Sequence, residues 1–385
     1  MKIAIVGAGP AGLFFSALLK RLDSAHHITI FERNEPETTY GFGVGFSDGA
    51  LRFLEEVDGG LRDAIVASSA RQDHITLVHQ NERVPILGSH FYGIARLRLL
   101  QLLQERALAE GVQIVSGQLV KRLADIQGYD LVVGADGVNS MVRRETEAVL
   151  KPAVTACRNM WIWYATNRTT PGIELLFHQT AFGLFIGHTY RYQNNRNTFV
   201  IECSAMTWRT AGLHEMSEAE SVRFCSSIFA DFLGGGQFIS NSSVWFTPKI
   251  VRLAKWSCGQ VTLIGDALKT IHPSIGSGTR AAMQDAIALA AACANNPHDV
   301  SAALDRFEEL RRHAAEKLQS SAVRSIDWYE TVEERLHLSP LELAFEFMMR
   351  TGKVDYVRLQ EMDPAFAARY RAAHPSFDIS NLRSA

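Results

Sequence analysis

The sequence predicts an α/β fold: a Rossmann-like unit built on a parallel sheet, an antiparallel β-sheet inserted into it, and helices at the C-terminal end. Three observations predict it. Strand–turn–helix signatures with a glycine and an acid at the turn occur near residues 2–32, 129–143 and 259–286. Short aromatic and β-branched runs crowd the stretch from about Ala153 to Ile250. Helical apolar spacing fills the chain after Val300.

The first signature is the fullest. Lys2-Ile-Ala-Ile-Val6 is an apolar, β-branched run that leads into Gly7-Ala-Gly9-Pro-Ala11-Gly12. Leu13 to Lys20 then has apolar residues at helical spacing, and Ile28-Thr-Ile-Phe31 is a second strand ending at Glu32-Arg33. Gly7 permits the tight turn, Gly9 lets a pyrophosphate approach the backbone, and Gly12 lets the helix pack close to the sheet. The helix N-terminus offers unpaired N–H groups and a positive dipole end. Glu32 stands where a carboxylate accepts hydrogen bonds from a ribose. Strand, helix and spaced acid together make a dinucleotide site far more specific than the glycine pattern alone.

Tyr40-Gly-Phe-Gly-Val-Gly-Phe46 reads either as a plain loop or as backbone that approaches a flat ligand. A helix is expected from Ser47, with Leu51 and Leu54 on its apolar face. Residues 73–87 alternate as a hairpin, Arg96 opens an amphipathic helix to about Ala109, and Gly111–Val115 and Leu119-Val120 are strand material. Leu131–Val133 is a buried parallel strand delivering Gly134-Ala-Asp136-Gly137 to a turn. Met216 to Phe232 is a helix opened by the capping box Ser217…Glu220. Val261–Ile264 ends at Gly265-Asp266, followed by a turn at Gly276 and Gly278 and an Ala-rich helix. That helix start, Gly276 to Thr279, is a second place to hold an electron-rich group. Helices are expected over Val300–Ile326, Trp328–Leu336 and Pro340–Arg350, with a polar tail after Gly352.

The 385 residues are 47% hydrophobic and 21% charged, with a formal charge of −2, which is ordinary globular composition without the basic excess of a nucleic-acid binder. A strand starting at residue 2 and an apolar stretch too short to span a bilayer predict a cytoplasmic protein without a membrane partner. Five scattered cysteines without a CxxC pair predict free thiols and no metal.

The three ordered turns together resemble the single-component FAD-dependent aromatic hydroxylases, the group A flavoprotein monooxygenases. Five further stretches are similar to the aryl-CoA hydroxylases, the salicylyl-CoA 5-hydroxylase and 2-aminobenzoyl-CoA monooxygenase flavin-domain type: Gly93–Leu100, Thr198–Cys203, Trp208–Gly212, Ser274–Thr279 and Trp328–Arg335. The Trp328–Arg335 segment also resembles the tryptophan hydroxylase of violacein synthesis. Two departures stand near the expected flavin ring: Ala267-Leu268-Lys269 where the family often has Ala-Ala-His, and Pro273 after His272 where the subgroup often has Phe.

The resemblance implies a glutathione-reductase-type FAD-binding domain (1–72, 90–152 and 256–326), a substrate-binding β-sheet domain (73–89 and 153–255) and a C-terminal helical segment (327–385). It implies tightly bound FAD, held by Gly7, Gly9, Ala11, Gly12, Glu32, Arg33, Arg96, Asp136, Gly265, Asp266, Gly276, Gly278 and Thr279. Only one dinucleotide fingerprint exists, so NADH or NADPH is expected as a transient reductant, with O2 and a small aromatic substrate, in a monomer or homodimer. Arg96 is otherwise a solvated arginine, and Asp136 otherwise a helix cap. His188 and Tyr190 alternate on one strand and are the catalytic candidates, with Trp163, Phe177 and His272 as substrate contacts; the rival reading is an aromatic core with a satisfied histidine. His178 is equally open, and Arg71, Arg83 and Lys269 either meet CoA phosphates or are solvated.

The implied activity is hydroxylation of an aromatic ring, held as an aryl-CoA thioester such as salicylyl-CoA. A free tryptophan or indole-type substrate is the second reading, and a flavin-binding redox protein without hydroxylase activity is the third.

Overall fold

The computed structural model describes residues 1–35 and 41–377. Tyr40, with the polar stretch from residue 36, lies outside the described residues, as do residues 378–385.

The first sheet has six strands in the order Ser257–Cys258, Val261–Leu263, Leu131–Gly134, Lys2–Val6, His27–Phe31 and Gln113–Val115. All neighbours are parallel except the edge strand Ser257–Cys258. The register sets Val6 beside Gly134 and Gly134 beside Leu263. The three sequence-distant turns therefore leave the sheet side by side at its carboxyl edge, where α/β proteins bind ligands. Leu119-Val120, expected as strand, is irregular. The helix Pro10–Leu22 packs between Arg96–Ala109 and Gly278–Asn295.

The second sheet runs Asn159–Thr166, Arg196–Ser204, Gly183–Gln193, Ile173–Thr180, Ile75–His79 and Glu82–Ile86. It is antiparallel except where Ile173–Leu176 pairs parallel with Ile75–Val78. These two strands are joined through the whole intervening α/β region, so no tight turn forces them antiparallel. Gln80 and Asn81 close the 75–86 hairpin with φ of 50° and 64°, as a two-residue primed turn requires.

One face of this sheet, carrying Leu175, Phe177, Leu184 and Ile186, is covered by Trp328, Leu343 and Phe347 of the C-terminal helices. The other is covered by Phe229, Phe232 and Phe238 packed on Phe199. The helix opened by the Ser217–Glu220 capping box ends at Ile228, because Phe229 leaves helical geometry before the short turn Ala230–Leu233.

Three expectations are corrected. The glycine-rich segment is a strand, Gly43–Ser47, paired with Phe91–Ala95, which also pairs with Ala70–Gln72. Gly43 serves packing, since a Cβ there would lie 2.5 Å from Tyr192, as does Gly93 of the neighbouring strand, where one would lie 2.0 Å from the Arg191 carbonyl oxygen; Gly41 and Gly45 have open faces. The helix from Val300 continues unbroken to Glu330. The tail after Gly352 forms two helices, Tyr356–Met362 and Pro364–Ala373, capped by Asp355 and Asp363 and burying Tyr356, Leu359 and Phe366. Among the described residues no helix is long and apolar enough to cross a membrane.

Candidate functional site

The first turn is built by close approach. Gly7 has φ of 105°, and a Cβ there would lie 2.5 Å from the Ala135 carbonyl oxygen; one on Gly12 would lie 2.4 Å from the Gly7 carbonyl oxygen. Gly9 differs. The nearest atom to a Cβ there is 3.9 Å away, so its face is open. Glu32 is fixed to this turn: its carboxylate accepts from the Ala8 N–H at 2.8 Å and from the Asn34 N–H at 2.9 Å. Gly7, Gly9, Glu32, Arg33, Arg96 and Asp136 line one cleft of about 820 Å³. Ala11 and Gly12 are buried behind it, where small side chains let the helix meet its neighbours.

Asp136 divides its carboxylate. Oδ2 accepts from the Met141 and Val142 N–H groups at 2.6 and 3.3 Å, as a helix cap would. Oδ1 is buried without a partner among the described residues. Arg143, which the sequence reading passed over, staples the middle turn to the late one, donating to the carbonyls of Val138 and of Ala267.

At the late turn Gly265 has φ of 62° and packs against Ala11 and Ala282. Arg96 and Asp266 both keep exposed surface. Even so, burial in the surrounding protein lowers the Arg96 pKa and raises that of Asp266, with each the other's largest opposing charge. Groups that touch water yet are desolvated on most sides stand on the wall of a deep cleft. Gly276 (φ 56°) precedes the helix Gly278–Asn295, whose first turn carries no side-chain cap, so that Thr279 and its neighbours keep N–H groups available.

Lys269 is corrected. It is 5% exposed and bonded to Asp285, which also accepts from the Gly265 N–H and from Arg311 Nε, each at 3.1 Å. Its charge stabilises the late turn from behind. Arg83 is paired with Glu174, while Arg71 is exposed.

The ring-sized wall belongs to the second sheet. Register aligns Trp163, Val200 and His188 across three strands, and Trp161, Glu202 and Ile186 in the next row of the same face. His188 stacks on Trp161 with centroids 5.2 Å apart and lies 5.1 Å from the Tyr329 ring. Trp161 meets His272 edge-on at 5.1 Å, and Trp163 stacks on Phe246. His272 belongs to the late-turn loop, with Nδ1 2.9 Å from Ser274 Oγ. Burial, helped by nearby His188, pushes its pKa down to about 3. Glu202, also missed, sits 3.1 Å from His188 Nε2 and accepts from Asn159 Nδ2 at 2.8 Å.

Two candidates serve other ends. Phe177 is buried in the core against Trp328 and His79. The Tyr190 hydroxyl donates to the Gly43 carbonyl at 2.8 Å, and burial pushes its pKa up to about 12, with Arg96 opposing; it anchors the small sheet and does not accept a proton near neutrality. His178 is exposed on the opposite face, beside Phe229.

The FAD binding domain family matches residues 1–322. Salicyloyl-CoA 5-hydroxylase from a Streptomyces species is 35% identical over 379 residues, 96% of this chain and 73% of that protein. The chain belongs to the FAD-dependent hydroxylases. Protodeoxyviolaceinate monooxygenase from Chromobacterium violaceum is 34% identical over 91% of this chain and 94% of its own length. In structure, 2-methyl-3-hydroxypyridine-5-carboxylic acid oxygenase superposes with a TM-score of 0.73 at 19% identity, covering 92% of this chain and 98% of that one, which shows the same fold.

A hydroxylase of this family is an FAD-dependent monooxygenase, with a nicotinamide as reductant. The residues present fit FAD. The unpartnered Asp136 Oδ1 is an acceptor awaiting a hydroxyl or amide, and the open face at Gly9 admits a phosphate beside a helix N-terminus.

Proposed function

We propose that this hydroxylase acts on an aromatic ring carried as its CoA thioester, with salicylyl-CoA the leading candidate. The observation that carries the reading is the His188–Glu202 pair, set among Trp161, Trp163 and His272 on the sheet face that approaches the late turn. A carboxylate only accepts, so Glu202 holds the His188 Nε2–H. Nδ1 of that ring has no partner among the described residues, and the side chain keeps 12% of its surface open. Nδ1 is then placed to take the proton of a ring hydroxyl. An ionised ring is richer in electrons, which is what an electrophilic oxygen transfer needs.

Bound FAD, reduced by NADH or NADPH, supplies the activated oxygen. The chain supplies the rest. The Gly7–Gly12 turn, Glu32, Arg33, Arg96, Asp136, Gly265 and Asp266 would hold the cofactor. The Gly276–Thr279 backbone would offer it free N–H groups. Trp161 and Trp163 exclude water and orient the substrate plane.

The similarity to a salicyloyl-CoA hydroxylase over nearly the whole chain supports the thioester. The near-equal similarity to a protodeoxyviolaceinate monooxygenase supports a rival, a free indole-type aromatic compound. Purified yellow protein with NADH or NADPH and a panel of aryl-CoA and free aromatic compounds decides. Substrate-stimulated oxidation with a product one oxygen atom heavier is expected from an aryl-CoA. Stimulation only by free compounds would reject the thioester.

A further inference from the structure

Beside the flavin end of the site lies a group of cations without acidic partners. Arg280 stands in the first turn of the helix Gly278–Asn295, where a positive charge opposes the helix dipole. Its side chain is half-buried, and its Nε is shut away from water with no hydrogen-bond partner among the described residues. Lys317 and Arg324 lie two turns apart on one face of the long helix Val300–Glu330. Arg324 donates from Nε and Nη2 to the Thr351 carbonyl at 2.9 and 2.7 Å, clamping the turn that carries Gly352 (φ 65°) and Lys353.

Ala281, Leu318 and Ala322 share one buried cluster, which brings Arg280 and Lys317, each one residue earlier, to the same seam between the two helices, and a Cβ on Gly352 would lie 3.1 Å from Arg324 Nε. Burial first, then Arg280, Arg324 and Lys317, all lower the Lys353 pKa. Arg311 acts on Arg280 in the same sense, after burial. No carboxylate offsets either among the described residues. The acids closest in sequence are engaged: Glu316 with Arg312, Glu346 with Arg335, and Asp355 at a helix cap. Ordinary solvated surface charge does not explain a partly desolvated arginine at the wrong end of a helix, and an uncompensated cation of that kind is costly.

We propose that Arg280, Lys317 and Lys353, with Arg324 holding the turn, form a docking point for a phosphate ester on a nucleotide arm that reaches the flavin pocket from outside. Two sources share that chemistry, the nucleotide end of a CoA thioester and that of the nicotinamide reductant. The inference rests on the aryl-CoA reading for the first source and is independent of it for the second. Cations that follow directly on the Gly276–Thr279 turn would grip the arm while the ring lies against His188. They also account for a basic cluster that the flavin contacts leave unused.

The test uses the FAD-loaded enzyme and its Arg280→Gln, Lys353→Gln and double variants. Binding of coenzyme A, dephospho-coenzyme A, NADPH and NADH is measured by calorimetry at low and high salt, without turnover, and flavin absorbance reports that the cofactor site is intact. The exposed Lys353 gives a variant that leaves the fold and the flavin untouched. Loss of charge-assisted contacts is expected to weaken coenzyme A binding about tenfold or more in the double variant and to flatten its salt dependence. If the wild type ignores coenzyme A while the variants lose NADPH, the docking point stands, the reductant is its source, and the thioester reading fails separately. If the double variant binds every nucleotide within about twofold of wild type, or if the wild type binds none of them, the docking point is overturned.

Discussion

Glu202 holds His188: a carboxylate oxygen lies 3.1 Å from the ring Nε2, on a glutamate that is 1% exposed. The two residues are fourteen apart and sit diagonally across paired strands, where register brings their side chains together.

Glu202→Gln keeps the shape and removes the charge that favours an N–H at Nε2. The variant is expected to retain FAD and to lose about ten- to a hundredfold in kcat for a hydroxylated ring. A substrate without an ionisable ring group should be nearly indifferent. Steady-state kinetics with the two substrate types checks both.

His272 predicts a stability change with pH. Its folded pKa is about 3, against about 6.5 for an unfolded histidine. The unfolded chain therefore takes up a proton here below about pH 6.5, and the folded protein does not until near pH 3. Stability from this group is full above 6.5 and falls as pH drops through that window, by at most about 1.4 kcal/mol per pH unit. His272→Gln should flatten the fall, seen as a smaller shift of the urea midpoint between pH 7.5 and 4.5.

Gly7→Ala and Gly9→Ala separate folding from cofactor binding. The first meets a left-handed φ and a backbone oxygen 2.5 Å away, and should lower Tm or abolish soluble protein. The second meets nothing nearer than 3.9 Å in the protein and should fold normally, yet bind FAD at least about tenfold more weakly, because a methyl stands where the pyrophosphate approaches. Thermal melts with FAD removed, then flavin titration, give the two readouts.

Asp285→Ala leaves Lys269 and Arg311 facing each other without their shared carboxylate. It should cost about 3–5 kcal/mol in denaturant unfolding. Lys269→Met should cost less, since Arg311 and the Gly265 N–H still satisfy Asp285.

The parallel sheet and its three turns were legible because local rules write them: β-branched runs, glycine at tight turns and an acid at a fixed remove. Glu202 lies in a strand plain from its β-branched run, but only register reveals that it faces His188. Lys269 looked like one more surface charge, because its burial depends on a helix beginning nine residues later and supplying Asp285. The last two helices were hidden by their shortness. Tyr356, Leu359 and Phe366 are too sparse to show a helical period, and the cue lay in the Asp355 and Asp363 caps. Tyr190 fell on the expected face, yet the strand Gly43–Ser47 arrives from far away to claim its hydroxyl.

The helix Val300–Glu330 runs 31 residues, about 46 Å, without a break. More than a third of the way along it Arg311 grips Asp285 behind the late turn; at its far end Tyr329 leans on His188. Eighteen residues of continuous backbone hydrogen bonding, about 27 Å, separate these two grips. The rod acts as a gauge block: it sets the gap between the cradle for the cofactor and the platform for the ring, so wear at either end is transmitted as displacement and cannot be absorbed by a hinge.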